Sequence, residues 1–200
     1  DGSSITMIYI PPKLVDKFGS TWEEDEQPKA LVDEDGGQFI VCSRNLQLKY
    51  DPESHFWKGF FNSDWQGFMR FVAERFDVDH PVVVQGELMG PGIQGNREKF
   101  NQFKVFAFNL FNPAINDYVS FDFVVNLIKS FFGNTDNMVP YGEPIKVFDK
   151  MNLTEILQHA VGESINHPIR EGIVWKSVSI YHPTVSFKAI SNQFLLKGGE

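Results

Sequence analysis

The stretch from Val82 to Asn96 constrains this chain more than any other. Pro81 is followed by Val82, Val83 and Val84, a β-branched run that fits a pleated surface and predicts a strand. The strand delivers one carboxylate, Glu87, at its end. Gly90, Pro91, Gly92 and Gly95 follow, so the chain turns sharply and its backbone can approach another group closely. A carboxylate beside such a turn can hold a hydroxyl or a hydrated metal, although a lone Glu-x-x-Gly most often marks only a strand and a turn.

The other elements read outward from this one. Ile5–Ile10 has strand character and is closed by Pro11 and Pro12. Residues 11–37 are acidic and punctuated by Gly and Pro, which predicts a long, exposed loop or a mobile hairpin arm with Gly36-Gly37 as its return turn. Gln38–Ser43 resumes as a strand, and residues 51–61 read as irregular. Ser63 and Asp64 open a helix in which Trp65, Phe68, Met69, Val72 and Phe76 keep helical spacing. Gln102–Phe111 alternates as a strand, with Phe103, Val105 and Ala107 on one face and Lys104, Phe106 and Phe108 on the other. A helix is expected in the later part of 118–132, and a short strand within 140–148. Asn152 with Glu155 forms a capping-box pattern for a helix to about Val161. Strands follow at 172–180 and 185–190, and a short helix at 191–197. The fold class is therefore α+β: one domain over residues 1–200, built of antiparallel strands and flanking helices.

Bulk properties limit function less. With 200 residues, 42% of them hydrophobic, the chain can bury one sizeable core, and no apolar run reaches the length of a membrane span. The single cysteine, Cys42, excludes an internal disulfide and fits a reducing cytoplasm. The formal net charge of -8 argues against simple electrostatic binding of nucleic acid. Residues 23–35 carry seven acids against Lys29, however, and without that stretch the balance is -2. Charge alone thus rejects no nucleic-acid partner. The five histidines show no metal-ligand spacing.

Six short strings fall in a fixed order: Asp1-Gly2-Ser3-Ser4; Ser43-Arg44-Asn45; GELMGPGIQGN at 86–96; KVFAF at 104–108; EGIVWK at 171–176; and SFKAIS at 186–191. Together they resemble the motifs of the covalent nucleotidyltransferase superfamily, and GPGIQGN with VCSRN resembles the ATP-dependent RNA ligases. VCSRN followed by LQLKYDPESHFW is most similar to the Deinococcus-type RNA ligases.

The resemblance implies a nucleotidyltransferase (adenylylation) fold and an enzyme that takes ATP as AMP donor, with Mg²⁺ or Mn²⁺, to seal RNA breaks. The partner is RNA or an RNA-containing nicked duplex, with no membrane and a monomeric chain. In the family a lysine in Lys-x-Asp-Gly becomes lysyl-AMP. Asp1 and Gly2 match the last two positions, so that lysine is expected two residues before Asp1, upstream of a chain read as N-terminally truncated. By the same resemblance Glu87 holds the ribose hydroxyl and Phe106 stacks on adenine. Lys176 and Lys188 face the AMP phosphate, Glu171 supports the metal, and Arg44 positions nucleotide and strand groups. Where some relatives have Lys-x-Lys, this chain has Lys188-Ala189-Ile190, so one phosphate contact is missing. A DNA ligase or capping-type core, and a non-catalytic nucleotide- or RNA-binding module, are the competing readings.

Overall fold

A computed structural model describes residues 2–142, 151–177 and 185–197. Eight strands fall into two antiparallel sheets among these residues. The larger contains β1 (Ser3–Ile10), β2 (Leu31–Val32), β3 (Gln38–Cys42), β4 (Val82–Met89), β5 (Lys104–Asn112) and β6 (Asp117–Tyr118). Its spatial order is β2-β3-β1-β4-β5-β6. The smaller sheet pairs β7 (Gly172–Lys176) with β8 (Ser186–Ile190).

Period-two alternation gives the large sheet two unlike faces. Along β4, Val82, Val84 and Leu88 are buried while Val83, Gln85, Glu87 and Met89 are only partly so. The apolar set meets Ile5 and Met7 of β1, Phe39 and Val41 of β3 and Val105 and Ala107 of β5 in one core cluster. Helices α2 (His55–Phe61), α3 (Trp65–Arg75) and α4 (Phe121–Phe132) contribute Trp57, Phe60, Trp65, Phe68, Met69, Val124 and Ile128 to the same cluster. Much of the chain's aromatic content is spent here. Phe68 stacks on Phe132 at 5.7 Å between centroids, and Trp65 meets Phe132 edge-on at 5.5 Å.

Local chemistry sets the helix ends. The Asp64 side chain accepts from the Gly67 N–H at the start of α3. α5 (Leu153–Ala160) carries the full capping box, Asn152 accepting from the Glu155 N–H at 3.1 Å and Glu155 accepting from the Asn152 N–H at 2.9 Å. α4 ends at Gly133 in the left-handed region. The terminal helix, α6, spans Asn192–Leu196.

Three expectations are corrected. Residues 51–61 are not irregular throughout: Ser54 caps α2, which buries Trp57 and Phe60. The stretch 11–37 is not a simple exposed loop: its end is the hairpin arm, β2 pairing antiparallel with β3 across a turn at Asp33–Gly37, and the rest is partly structured. It contains a short 3₁₀ turn, helix α1 (Val15–Phe18) and strand β2. Ala30 is buried with Ile10 and Ile40, and Trp22 packs on them. Asp33 receives a fork from Arg70, at 2.7 and 2.6 Å. The few apolar residues within the acidic run decide its placement. Finally, Phe76 lies just beyond α3 and is exposed, so the α3 stripe ends at Val72. The strand expected over 140–148 falls mostly on residues 143–150, outside the described residues.

Candidate active site

The second face of the large sheet carries the polar residues. Cross-strand register places Ser4 opposite Glu87, and Glu87 opposite Phe106. Thr6 lies opposite Gln85, and Gln85 opposite Asn109. The Asn109 side chain donates to Gln85 Oε1 at 3.1 Å. The β4–β5 register shifts between Gln85 and Gly86, leaving Phe108 as the extra residue on β5. The bulge adds Asn109 to the alternation expected for this strand: Phe108 and Asn109 together oppose Gln85, and the Lys176 ammonium lies 5.3 Å from the Phe108 ring. Gly2 sits against this strand end. A Cβ there would lie 2.9 Å from Glu87 Oε1 and 2.7 Å from the Leu88 carbonyl, so only glycine fits so close to the carboxylate.

The small sheet supplies the cations. Its register sets Val174 opposite Lys188 and Lys176 opposite Ser186. Directly opposed residues share a face, and so do residues two apart, so Lys176 and Lys188 project from one face. Ile173, Trp175, Phe187 and Ala189 form the other. Lys176 reaches the large sheet, donating to the Phe108 carbonyl at 2.5 Å and to Asn109 Oδ1 at 2.6 Å. Lys176 thus bridges the two sheets, and Lys188 shares its face of β7–β8; the space between that face and the Gln85, Glu87 and Asn109 face of the large sheet is the candidate cleft. Burial lowers the Lys176 ammonium to a pKa of about 8. Glu171, at the head of β7, forms an ion pair with Lys188.

The expected site residues are distributed as follows. Lys176 contacts the large sheet directly, Lys188 is paired with Glu171 on the same face of the small sheet, and Glu87 lies on the polar face of β4. Phe106 lies beside Glu87, outside the main core cluster, but is only 5% exposed, covered by Phe100 at 5.5 Å and the Lys104 ammonium at 5.0 Å. Arg44 is exposed just past β3. Because Cys42 pairs with Thr6, β3 runs on toward the sheet end that bears Ser4 and Glu87. Asp1 lies outside the described residues. Sequence reasoning missed Gln85 and Asn109. The alternation of β4 was the available signal for Gln85, but the bulge concealed Asn109. No group of three His, Cys, Asp or Glu side chains suited to a metal occurs among the described residues.

A cavity of about 640 Å³ adjoins the cleft through Asn109 and Lys176. It extends away from Glu87 toward Phe76, His80, Tyr118 and Phe121. Glu87, Phe106, Glu171 and Lys188 are absent from its lining, so this cavity and the candidate cleft are neighbours rather than one site.

The model of the RNA ligase family matches residues 1–190. The chain belongs to the RNA ligase family. Its fold is of the nucleotidyltransferase type seen in solved RNA ligases. A mutant of Naegleria gruberi RNA ligase with ATP and Mn is 25% identical at a TM-score of 0.72, over 98% of this chain and 49% of that one. A second mutant with ATP and Mn is 26% identical at 0.72, with the same coverage. The Naegleria gruberi RNA ligase with PPi is 26% identical at 0.69, again over 98% and 49%. This member of the RNA ligase family therefore spans about half the length of the solved structures it matches. No curated protein sequence matches it significantly. No helix among the described residues is long and apolar enough to cross a membrane.

Proposed function

We propose that this chain forms the adenylylation domain of an ATP-dependent RNA ligase, acting as a monomer in the cytoplasm. One observation carries the reading: Lys176 and Lys188 share one face of β7–β8, and Lys176 reaches from it to Asn109 on the β4–β5 face that bears Glu87. A nucleotide between the two faces would meet a ribose-binding carboxylate on one side and phosphate-binding cations on the other. The ATP, AMP, Mn and PPi in solved relatives support that assignment.

The reaction has three steps: formation of a lysyl-AMP, transfer of AMP to a 5′-phosphate, and closure. In closure the 3′-oxygen forms a bond to the 5′-phosphorus, and the bond from that phosphorus to the AMP oxygen breaks. AMP departs with the electron pair, and the hydroxyl proton passes to solvent. The protein's part is to align the ends and to offset charge on the phosphates. Lys188 and Lys176 supply that charge. Glu171 suits a divalent ion: Mg²⁺ and Mn²⁺ need only one or two carboxylates besides phosphate oxygens and water, and the described residues offer no larger cage. When bound, the ion adds charge neutralisation at the phosphates.

The test is closure of a synthetic RNA break whose 5′ end is already adenylylated, which needs no lysine nucleophile. The chain with Mn²⁺ or Mg²⁺ is expected to seal it. AMP binding without any closure favours the non-catalytic module. Preference for a nicked duplex over single strands bears on the narrower reading, a Deinococcus-type nick-sealing enzyme.

Two further outcomes concern the nucleotide. Phe106→Ala is expected to weaken AMP binding by about 1–3 kcal/mol, the usual worth of base stacking, with unfolding still cooperative. Unchanged affinity in calorimetry, with a large loss of stability, assigns Phe106 to packing alone. For Lys176 the sign follows from its lowered pKa of about 8. It is a cation below that pH and neutral above it. AMP affinity should therefore decline as pH rises through about 8, by up to about tenfold per unit. An ordinary lysine would hold its charge to pH 10. Lys176→Arg, permanently charged, should flatten the decline.

A further inference from the structure

Glu98 is a buried carboxylate that the reaction outlined above does not use. Its relative exposure is 4%, in a chain whose other acids are mostly at the surface. A carboxylate taken out of water requires hydrogen-bond donors. One donor is the backbone N–H of Asn166, at 2.6 Å from Glu98 Oε2. The Asn166 side chain returns a bond to the Glu98 carbonyl at 3.0 Å. Two reciprocal bonds thus join segments 68 residues apart. Next to them, Arg97 donates to the Ile169 carbonyl at 3.3 Å and lies over the Phe194 ring at 4.7 Å.

Both joined segments lead to the cleft. Glu98 closes the turn that follows Glu87 and β4. That turn is firmly held. Asn96 accepts from the Phe100 N–H at 3.0 Å and donates to the Phe100 carbonyl at 2.8 Å. Gln94, Asn96 and Lys99 all have positive φ, a conformation that persists only where surrounding bonds over-determine it. Asn166 lies in the 164–170 loop, which hands the chain to Glu171. Arg170 is itself tied to the end of α5, donating to the Ala160 and Val161 carbonyls at 3.0 Å each.

We propose that Glu98 is a positioning residue: through Asn166 it fixes the 164–170 loop to the turn after β4, and so sets Glu171 and Lys188 against Glu87. The inference rests on the ligase reading for its kinetic consequence but not for its structural one. A two-stranded sheet has little independent stability. Beyond α5, which packs on both strands, and the Lys176 bonds to β5, the Glu98–Asn166 pair anchors the loop that leads into β7–β8.

The experiment compares the wild type with Glu98→Ala and Glu98→Gln, since glutamine can still accept from the Asn166 N–H. Hydrogen exchange is expected to accelerate at least about tenfold over 166–176 in Glu98→Ala, with 82–89 unchanged and Glu98→Gln close to wild type. In closure of the pre-adenylylated break, Glu98→Ala should lower kcat about tenfold or more while KM for the RNA moves less than about twofold. Wild-type exchange and kcat in Glu98→Ala overturn the proposal. So does equal damage by both variants with faster exchange throughout, which marks a general folding role. If Glu98→Ala does not fold, Asn166→Ala removes only the return bond and should still speed exchange in the same segment; no change there also overturns it. A wild-type chain that fails to close the break counts against the ligase reading, while the exchange measurements still decide the clamp.

Discussion

Replacing Lys188 with alanine is expected to slow closure of a pre-adenylylated RNA break by about 10²–10³-fold, the usual cost of deleting one preorganised charge at a reacting phosphate. Lys188 is aligned by its ion pair with Glu171 on a strand whose face is turned to the cleft. Its side chain retains 45% exposure, so the substitution leaves no cavity and unfolding should stay cooperative. Glu171→Ala should cost a similar factor, because it removes the carboxylate that suits the metal and releases the lysine. The double variant should fall little further than either single one, since groups acting as a unit are not additive. Single-turnover closure measures all three. Closure that survives Lys188→Ala removes Lys188 from the site.

The second large effect is steric. At Gly172 a Cβ would run into the Ala189 carbonyl and come within 2.9 Å of Ile190 Cα. Both are backbone atoms of the paired strand and cannot rotate away, so β7 and β8 must part at the end that carries Glu171. Gly172→Ala is expected to cost about 1–3 kcal/mol, the range for forcing an extra methyl into a packed site. The loss should be confined to β7–β8, because the larger sheet holds a core of its own. Amides at 172–176 should exchange faster while those of β4 do not, and closure should fall as far as in Glu171→Ala. A Gly172→Ala protein with native exchange and native closure would show that the strands tolerate separation there.

What the sequence reveals depends on how local the cause is. The valine run of β4, the Asp64 cap of α3 and the capping box of α5 are written in neighbouring residues, and each element forms where those residues predict it. Helix α2 was harder to read, because Gly59 and a cluster of aromatics obscure its spacing, although Ser54 is a fair cap. In the 11–37 stretch the charge masks the few apolar residues, Trp22, Ala30 and Leu31, that hold it to the sheet. In the site, Glu87, Lys176, Lys188 and Glu171 stand out only through their motif contexts. Nothing local indicates that Lys176 reaches Asn109, since 67 residues and a β-bulge intervene. Glu98 carries no sequence signal at all. Its burial is a property of how two distant loops meet.

On the ligase reading the nucleotide lies between the two sheets. A crystal structure of the chain with AMP tests it most directly. The predicted result places the ribose at Glu87, the phosphate at Lys188 and Lys176, and the base against the β5 aromatics. AMP seated instead in the cavity between Phe76, His80 and Tyr118, with its phosphate remote from Lys188, would contradict it.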